Sequence, residues 1–187
     1  MNLIRTIFSS RFVWILVVLV AVSFLVNRWV DEEGGAKQVV EEWGLWAPLV
    51  AFVIQTITTM TPIGAVFMAV VNGMLFPLWL AILINLSSGV VGGIGMYFLW
   101  RRGEHEFDIQ ARMSILPTWF RRRAGDDLIF LVVLRLLPWA GGGIADLLAG
   151  AHRIPVRTQT ASLLLGYLPG SVLYALMGAG LIKLGAS

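Results

Sequence analysis

Two charged residues, Arg135 and Asp146, lie in the otherwise apolar segment from Leu128 to Gly150. A charge at the centre of a membrane costs about 2.5–3.5 kcal/mol on insertion scales, so such residues usually face protein or water and mark a pathway. The planar guanidinium of an arginine is well suited to binding a phosphate group. A neighbouring carboxylate could pair with the arginine and release it when protonated. We therefore expect Arg135 and Asp146 to lie on a substrate or proton pathway.

Helix-breaking residues, Pro138, Gly141 and Gly142, separate the two charges. Backbone groups without helical partners are tolerated at membrane depth only where they are buried in protein or line a cavity. The segment therefore predicts a re-entrant hairpin with Arg135 and Asp146 on opposite arms and with the breakers on the same pathway. A structural ion pair that only closes the hairpin explains the two charges equally well, because buried charges in membranes are generally paired.

The composition indicates an integral membrane protein. Of the 187 residues, 58% are hydrophobic and 13% are charged, and the mean hydropathy is +0.81, outside the range of ordinary soluble domains. The chain has no cysteine and two scattered histidines, so neither a metal site nor a disulfide is predicted. No hydrolase, kinase or redox motif is present, and we expect a protein without enzymatic activity or cofactor. The basic residues cluster at the ends of apolar segments, which is typical of cytoplasmic loops rather than of nucleic-acid binding.

The hydropathy pattern predicts a membrane anchor over residues 1–31 and a membrane domain over residues 32–187. Basic residues before the apolar run of the anchor place the N-terminus in the cytoplasm. The membrane domain divides into repeat one over 46–101, an arginine-rich cytoplasmic loop over 102–127 and repeat two over 128–187. Leu78 to Trp100 is long enough for a full crossing, since a span needs about 20 residues. The last crossing, over residues 159–184, is expected to be broken near Pro169.

Helix breakers recur at matching places in the two repeats: Pro62 with Pro138, and Asn72-Gly73 with Ala149-Gly150. The predicted topology puts the first hairpin outside and the second inside, so the copies are inverted. Inverted repeats with broken helices are typical of secondary transporters, whose site lies between the repeats. Pro62 and Asn72 are therefore further pathway candidates. Asn72 and the threonines before Pro62 could form a polar wall opposite Arg135, or could bond only to neighbouring helices or to backbone freed by Pro62.

Several motifs resemble those of the DedA and VTT-domain family of membrane proteins, also called SNARE-associated Golgi proteins. The motifs in this chain are Arg135-Leu-Leu-Pro138, Asp146-Leu-Leu-Ala-Gly150, Gly166-Tyr-Leu-Pro169, Asn72-Gly73-Met-Leu-Phe and Tyr97-Phe-Leu-Trp-Arg101. The resemblance implies two opposed re-entrant hairpins and transport of phospholipid or undecaprenyl phosphate, with a suspected dependence on the proton motive force. The chain departs from the family pattern in lacking the acidic residue beside Pro62, which leaves Asp146 as the embedded acid.

Together these features predict an all-α, polytopic protein of the bacterial inner membrane that acts as a lipid flippase or scramblase. Its expected partners are lipid headgroups, with protons as further candidates and a homo-oligomer left open. Two alternatives remain: a proton-coupled exporter of small cations or drugs, and a non-transporting membrane assembly factor.

Overall fold

The computed structural model describes residues 42–61, 65–107, 127–137 and 141–180, and the separate positions 14, 18, 21, 25, 28 and 38. Over these residues all regular structure is helical, which confirms the all-α class. A short 3-10 turn at Gly44–Trp46 precedes the helices. The helices are α1 Ala47–Thr59, α2 Ala65–Leu75, α3 Leu78–Phe107, α4 Leu128–Leu136, α5 Gly141–Ala151 and α6 Val156–Gly178. Most of the predicted anchor over residues 1–31 lies outside the described residues.

Two of the described helices, α3 and α6, are long and apolar enough to cross a membrane. The candidate spans are Leu78–Glu104 in α3 and Val156–Gly178 in α6. The crossing expected to start at Leu78 is therefore present as a helix. It continues as α3 to Phe107, so the first residues of the predicted cytoplasmic loop are helical.

The expected break near Pro169 is wrong, because Pro169 lies inside the continuous helix α6. A proline removes one backbone donor from a helix. Neighbouring helices, side chains and small local adjustments can compensate for this loss in a membrane helix. One missing hydrogen bond is thus too weak a perturbation to divide α6.

The other four helices are short. They contain 13 residues in α1, 11 in α2, 9 in α4 and 11 in α5, against the roughly 20 needed for a full span. Each pair is separated by one of the predicted breakers, Pro62 between α1 and α2 and Pro138 between α4 and α5. Both prolines themselves lie outside the described residues.

The outer surface of the helices is strongly apolar. Large hydrophobic side chains are widely exposed, among them Ile129 at 74%, Trp79 at 68% and Phe67 at 66%. Extended exposed apolar surface marks membrane or protein contact. The exposed surface and the two apolar spans together support a membrane protein.

Two close helix crossings hold the short helices against the long ones. Helix α5 crosses α3 at Gly150, where a Cβ atom would lie 2.8 Å from the carbonyl oxygen of Tyr97. Helix α2 crosses α6 at Gly73, where a Cβ atom would lie 2.9 Å from the Cα atom of Ala175. Only glycine fits at either crossing without displacing backbone. Small residues at such contacts allow helix backbones in membranes to approach closely.

Candidate functional site

Helix α4 places Arg135 in the interior of the protein. The helix begins after Asp127, whose Oδ1 atom accepts hydrogen bonds from the backbone N–H groups of Ile129 at 2.9 Å and Phe130 at 3.1 Å. Such a cap satisfies donors that the first turn leaves unpaired. Arg135 lies in the last turn of α4, where a cation interacts favourably with the helix dipole. Its exposed fraction is only 6%.

Arg135 and Asp146 form a buried ion pair between α4 and α5. The Nη2 atom of Arg135 lies 2.7 Å from the Oδ1 atom of Asp146. Asp146 is 3% exposed, so neither charge is screened by bulk solvent. The two charged residues noted in the sequence thus lie on the two helices of one pair and contact each other.

Two residues of α6, Gln159 and Ser162, complete the network around the ion pair. Arg135 donates from Nη2 to Gln159 Oε1 at 3.1 Å and from Nε to Ser162 Oγ at 3.2 Å. Gln159 donates from Nε2 to Asp146 Oδ1 at 2.8 Å. Ser162 donates to the backbone carbonyl of Gln159 at 2.8 Å. The network therefore fixes three helices around one guanidinium.

One nitrogen of the Arg135 guanidinium takes no part in this hydrogen-bond network. The Nη1 atom of Arg135 is buried and has no hydrogen-bond partner among the described residues. A buried donor without an acceptor costs about 1–3 kcal/mol, and more when the group is charged. Such a donor is explained if a ligand supplies the acceptor.

Gly166 and Tyr167 of α6 form the surface on which Arg135 rests. A Cβ atom on Gly166 would lie 2.7 Å from Cδ of Arg135, so the side chain of Arg135 occupies the space that Gly166 leaves open. The ring of Tyr167 lies below the guanidinium, with its centroid 5.7 Å from Cζ. This distance is within the range of a cation–π contact.

The prediction that Gly141 and Gly142 break the helix is wrong, because they are the first two residues of α5. A glycine in a helix costs only about 1 kcal/mol relative to alanine, and the close contacts made here outweigh this preference. A Cβ atom on Gly141 would overlap the carbonyl oxygen of Leu134, and one on Gly142 would lie 3.1 Å from the hydroxyl oxygen of Tyr167. Gly141 is therefore required for the close approach of α5 to Leu134, whereas a side chain at Gly142 would press on the hydroxyl of Tyr167. Pro138, predicted on the same pathway, lies outside the described residues.

Asn72 belongs to a second, uncharged polar cluster. Its Nδ2 atom donates to Gln55 Oε1 and, at 2.9 Å, to Asn85 Oδ1. Asn85 in turn donates to the carbonyl of Ala69 at 3.0 Å. The Oδ1 atom of Asn72 is buried and has no partner among the described residues. The cluster thus joins α1, α2 and α3 just as the Arg135 network joins α4, α5 and α6.

The geometry does not place Asn72 in a polar wall opposite Arg135. Helix α6 contacts Arg135 at Gly166 and contacts Gly73, the neighbour of Asn72, at Ala175. These contacts are separated by about 13 Å along the helix at 1.5 Å per residue. The threonines are occupied locally: Thr56 donates to the carbonyl of Phe52 at 2.7 Å and Thr58 to that of Gln55 at 3.0 Å. Local backbone bonds satisfy these hydroxyl donors, which favours the second of the two explanations given above.

The family model of the VTT domain matches residues 61–180, more than half of the chain. The chain belongs to the VTT-domain family. This is the domain of the DedA and SNARE-associated Golgi proteins, and the family is membrane-associated and often proposed to be transporter-like. No curated protein matches the chain significantly, and neither does any solved structure.

Several neighbours of the candidate residues in this VTT domain were not predicted, namely Gln159, Ser162 and Tyr167 around Arg135, and Gln55 and Asn85 around Asn72. A signal for two of them was present. Gln159, Ser162 and Gly166 recur at helical spacing in an apolar segment, which places polar and small side chains on one face. Tyr167 lies next to that face and stands in the Gly166-Tyr-Leu-Pro169 motif, but its place beside Arg135 could not be predicted from that motif.

Proposed function

We propose that the chain moves phosphate-bearing lipids between the two leaflets of a bacterial inner membrane, with Arg135 holding the headgroup phosphate. The observation that carries this proposal is the Nη1 atom of Arg135, which is buried and has no partner among the described residues. A phosphate oxygen would satisfy this donor with a charge-assisted hydrogen bond. Phospholipids and undecaprenyl phosphate both offer such an oxygen.

We further propose that α1–α2 and α4–α5 are opposed re-entrant hairpins of an inverted repeat. All four helices are too short to span a membrane alone. The two close crossings described above support the repeat, because the second helix of each pair packs through a glycine against the long helix of the other half. Such reciprocal packing is expected when two copies are related by a two-fold axis in the membrane plane.

Asp146 gives the proposed site a means of binding and releasing phosphate. While Asp146 is ionised, its Oδ1 atom competes with phosphate for the donors of Arg135. Binding an anion beside an ionised carboxylate would leave a buried negative charge in excess, which is costly in a low dielectric. Protonation of Asp146 removes that excess. Each proton crossing the membrane field contributes about 2.3 kcal/mol per 100 mV, enough to bias transport.

Lipid exchange in liposomes tests the proposal. The full chain is reconstituted with fluorescent phosphatidylglycerol, and a leaflet-selective quencher reports the rate of exchange. Arg135→Lys keeps the charge but removes the fork of donors, and we expect a rate at least about ten-fold lower, the effect of losing a hydrogen bond to a charged group. Arg157→Lys, at an exposed arginine of α6, is the matched control and should exchange lipid at the wild-type rate.

A normal exchange rate for Arg135→Lys would remove Arg135 from the headgroup role. The same assay separates the alternatives. A proton-coupled exporter needs an embedded acid pair, and Asp146 is the one buried acid in the described part of the chain. A non-transporting assembly factor predicts no exchange by the wild type, and full retention of its cellular role when Arg135 and Asp146 are replaced together by apolar residues.

A further inference from the structure

Tyr167 is the point at which four helices meet. It belongs to α6, and its ring faces the guanidinium of Arg135 in α4 at 5.7 Å from Cζ. The edge of the same ring lies against α3, where a Cβ atom on Gly89 would be 3.3 Å from the ring. Its hydroxyl points to α5, where a Cβ atom on Gly142 would be 3.1 Å from the oxygen. The hydroxyl is therefore held in one place beside the buried arginine.

The hydroxyl proton of Tyr167 is available to an anion. A guanidinium has donors only, so Arg135 cannot accept this proton. The hydroxyl belongs to the ring whose centroid lies 5.7 Å from Cζ of Arg135. It thus adds a second donor beside Arg135, whose Nη1 atom has no partner among the described residues.

Gly142 leaves open the space next to this hydroxyl. A methyl group at position 142 would lie 3.1 Å from the hydroxyl oxygen, closer than ordinary van der Waals contact. A methyl group at the next position, Gly143, would meet no atom within 4 Å. The absence of a side chain is therefore sterically important at Gly142 and unimportant at Gly143.

We propose that the Tyr167 hydroxyl donates a hydrogen bond to the same phosphate group that Arg135 binds, and that Gly142 provides the room for a phosphate oxygen between α5 and α6. The inference rests on the proposed role of Arg135 and adds the residue that sets the position of the phosphate. The ligand chemistry is that of a phosphate ester or a free phosphate.

Equilibrium binding tests this inference without requiring transport. The purified full chain in detergent is titrated with dioctanoyl phosphatidylglycerol, and its tryptophan fluorescence or the heat of binding is measured. Dioctanoylglycerol, which lacks phosphate, serves as the ligand control. Tyr167→Phe keeps the ring and removes the hydroxyl, and Gly142→Ala keeps the hydroxyl and fills the space beside it. Tyr174→Phe on the same helix and Gly143→Ala on the same turn are the matched controls.

We expect Tyr167→Phe to weaken the binding of dioctanoyl phosphatidylglycerol about ten-fold, as for loss of a hydrogen bond to a charged group. Gly142→Ala should weaken it in the same direction, whereas the two control variants should bind as the wild type does. Binding of dioctanoylglycerol should not change in any of the four. A purely structural role of Tyr167 would affect both ligands alike. Melting temperatures identify a misfolded variant, and if Gly142→Ala is misfolded, Tyr167→Phe decides the question.

The inference would be overturned if Tyr167→Phe bound dioctanoyl phosphatidylglycerol as tightly as the wild type does. If Arg135→Gln lost binding in the same assay, the proposed role of Arg135 would still stand. The opposite result is also informative. If the wild type binds the lipid, Tyr167→Phe binds it more weakly, and the wild type exchanges no lipid in liposomes, the transport proposal is rejected and the phosphate site is kept. Inorganic phosphate is the second probe. If inorganic phosphate binds and Tyr167→Phe weakens its binding, the phosphate group alone is recognised. If the lipid binds but inorganic phosphate does not, the acyl chains contribute to binding. Either result supports the inference.

Discussion

Gly166 gives the sharpest test of how the packing of α6 controls Arg135. An alanine Cβ atom there would lie 2.7 Å from Cδ and 2.8 Å from Cβ of Arg135, against about 3.4 Å for ordinary contact. Arg135 would have to move by about 0.7 Å to restore ordinary contact. Carried through to the guanidinium, this shift would lengthen the 2.7 Å ion pair with Asp146 to about 3.4 Å, beyond a good hydrogen bond. Overpacking of this kind typically costs about 1–3 kcal/mol.

Gly170 on the same helix provides the control for this substitution. A Cβ atom there would lie 3.4 Å from Cε2 of Tyr174, which is ordinary contact. Both substitutions replace a helical glycine with alanine and share a gain in helix propensity of about 1 kcal/mol, so this gain cancels in the comparison. We expect Gly166→Ala to be less stable than Gly170→Ala by about 1–3 kcal/mol and to lose lipid exchange. Unfolding is followed by tryptophan fluorescence in detergent, and exchange in liposomes. Equal melting temperatures and equal exchange rates would refute the claim that Gly166 positions Arg135.

Three further predictions concern stability. Asp146→Ala should lower the free energy of unfolding by about 3–5 kcal/mol, because it leaves the buried guanidinium of Arg135 without its counter-charge; the double variant with Arg135→Met should lose less, and an equal or larger loss would contradict this explanation. Asn72→Ala removes the donor to two buried amide oxygens and should cost about 1–3 kcal/mol for each oxygen left unsatisfied; an unchanged melting temperature would contradict the buried cluster. Burial lowers the pKa of His152, with Glu104 partly opposing the shift. The folded state therefore takes up this proton less readily than the unfolded state, and its stability should decline as the pH falls below about 6.5. His152→Gln should flatten the pH dependence of the melting temperature between pH 7.5 and 5.5, and an unchanged slope would remove His152 as its cause.

The residues on either side of Pro62 and Pro138 were sufficient to predict four short helices. A proline interrupts helical hydrogen bonding through local geometry, which can be read without knowing the tertiary contacts. The same local argument failed at Pro169, because one proline in a long apolar helix can be compensated by the surroundings of that helix. Local signals thus located the interruptions between α1 and α2 and between α4 and α5, but they did not distinguish these from Pro169 and the glycines 141–143, which lie inside helices.

The partners of the charged and polar side chains could be predicted only in part. Arg135 and Asp146 lie 11 residues apart on two arms of one segment, so the sequence suggested their approach. Gln159 and Ser162 come from a helix that begins 20 residues after α4 ends, and their contact with Arg135 depends on how α6 packs. For Asn72 the sequence left two alternatives open, a polar wall opposite Arg135 or bonds to its surroundings. It bonds to Gln55 and Asn85, because α2 crosses α6 near Gly73, away from Gly166.

The sequence by itself determined that the chain is helical and apolar, that its helices are interrupted on both sides of Pro62 and Pro138, and that two opposite charges lie among them, since these properties depend on composition and local backbone chemistry. Only the tertiary structure decided which nitrogen of Arg135 is left without a partner and that the ring of Tyr167 lies beneath it. Those facts depend on the angles and distances at which α3, α4, α5 and α6 pack. The packing is controlled by glycines such as Gly166 and Gly89, whose effect on their neighbours is fixed by close contact between helices distant in the chain.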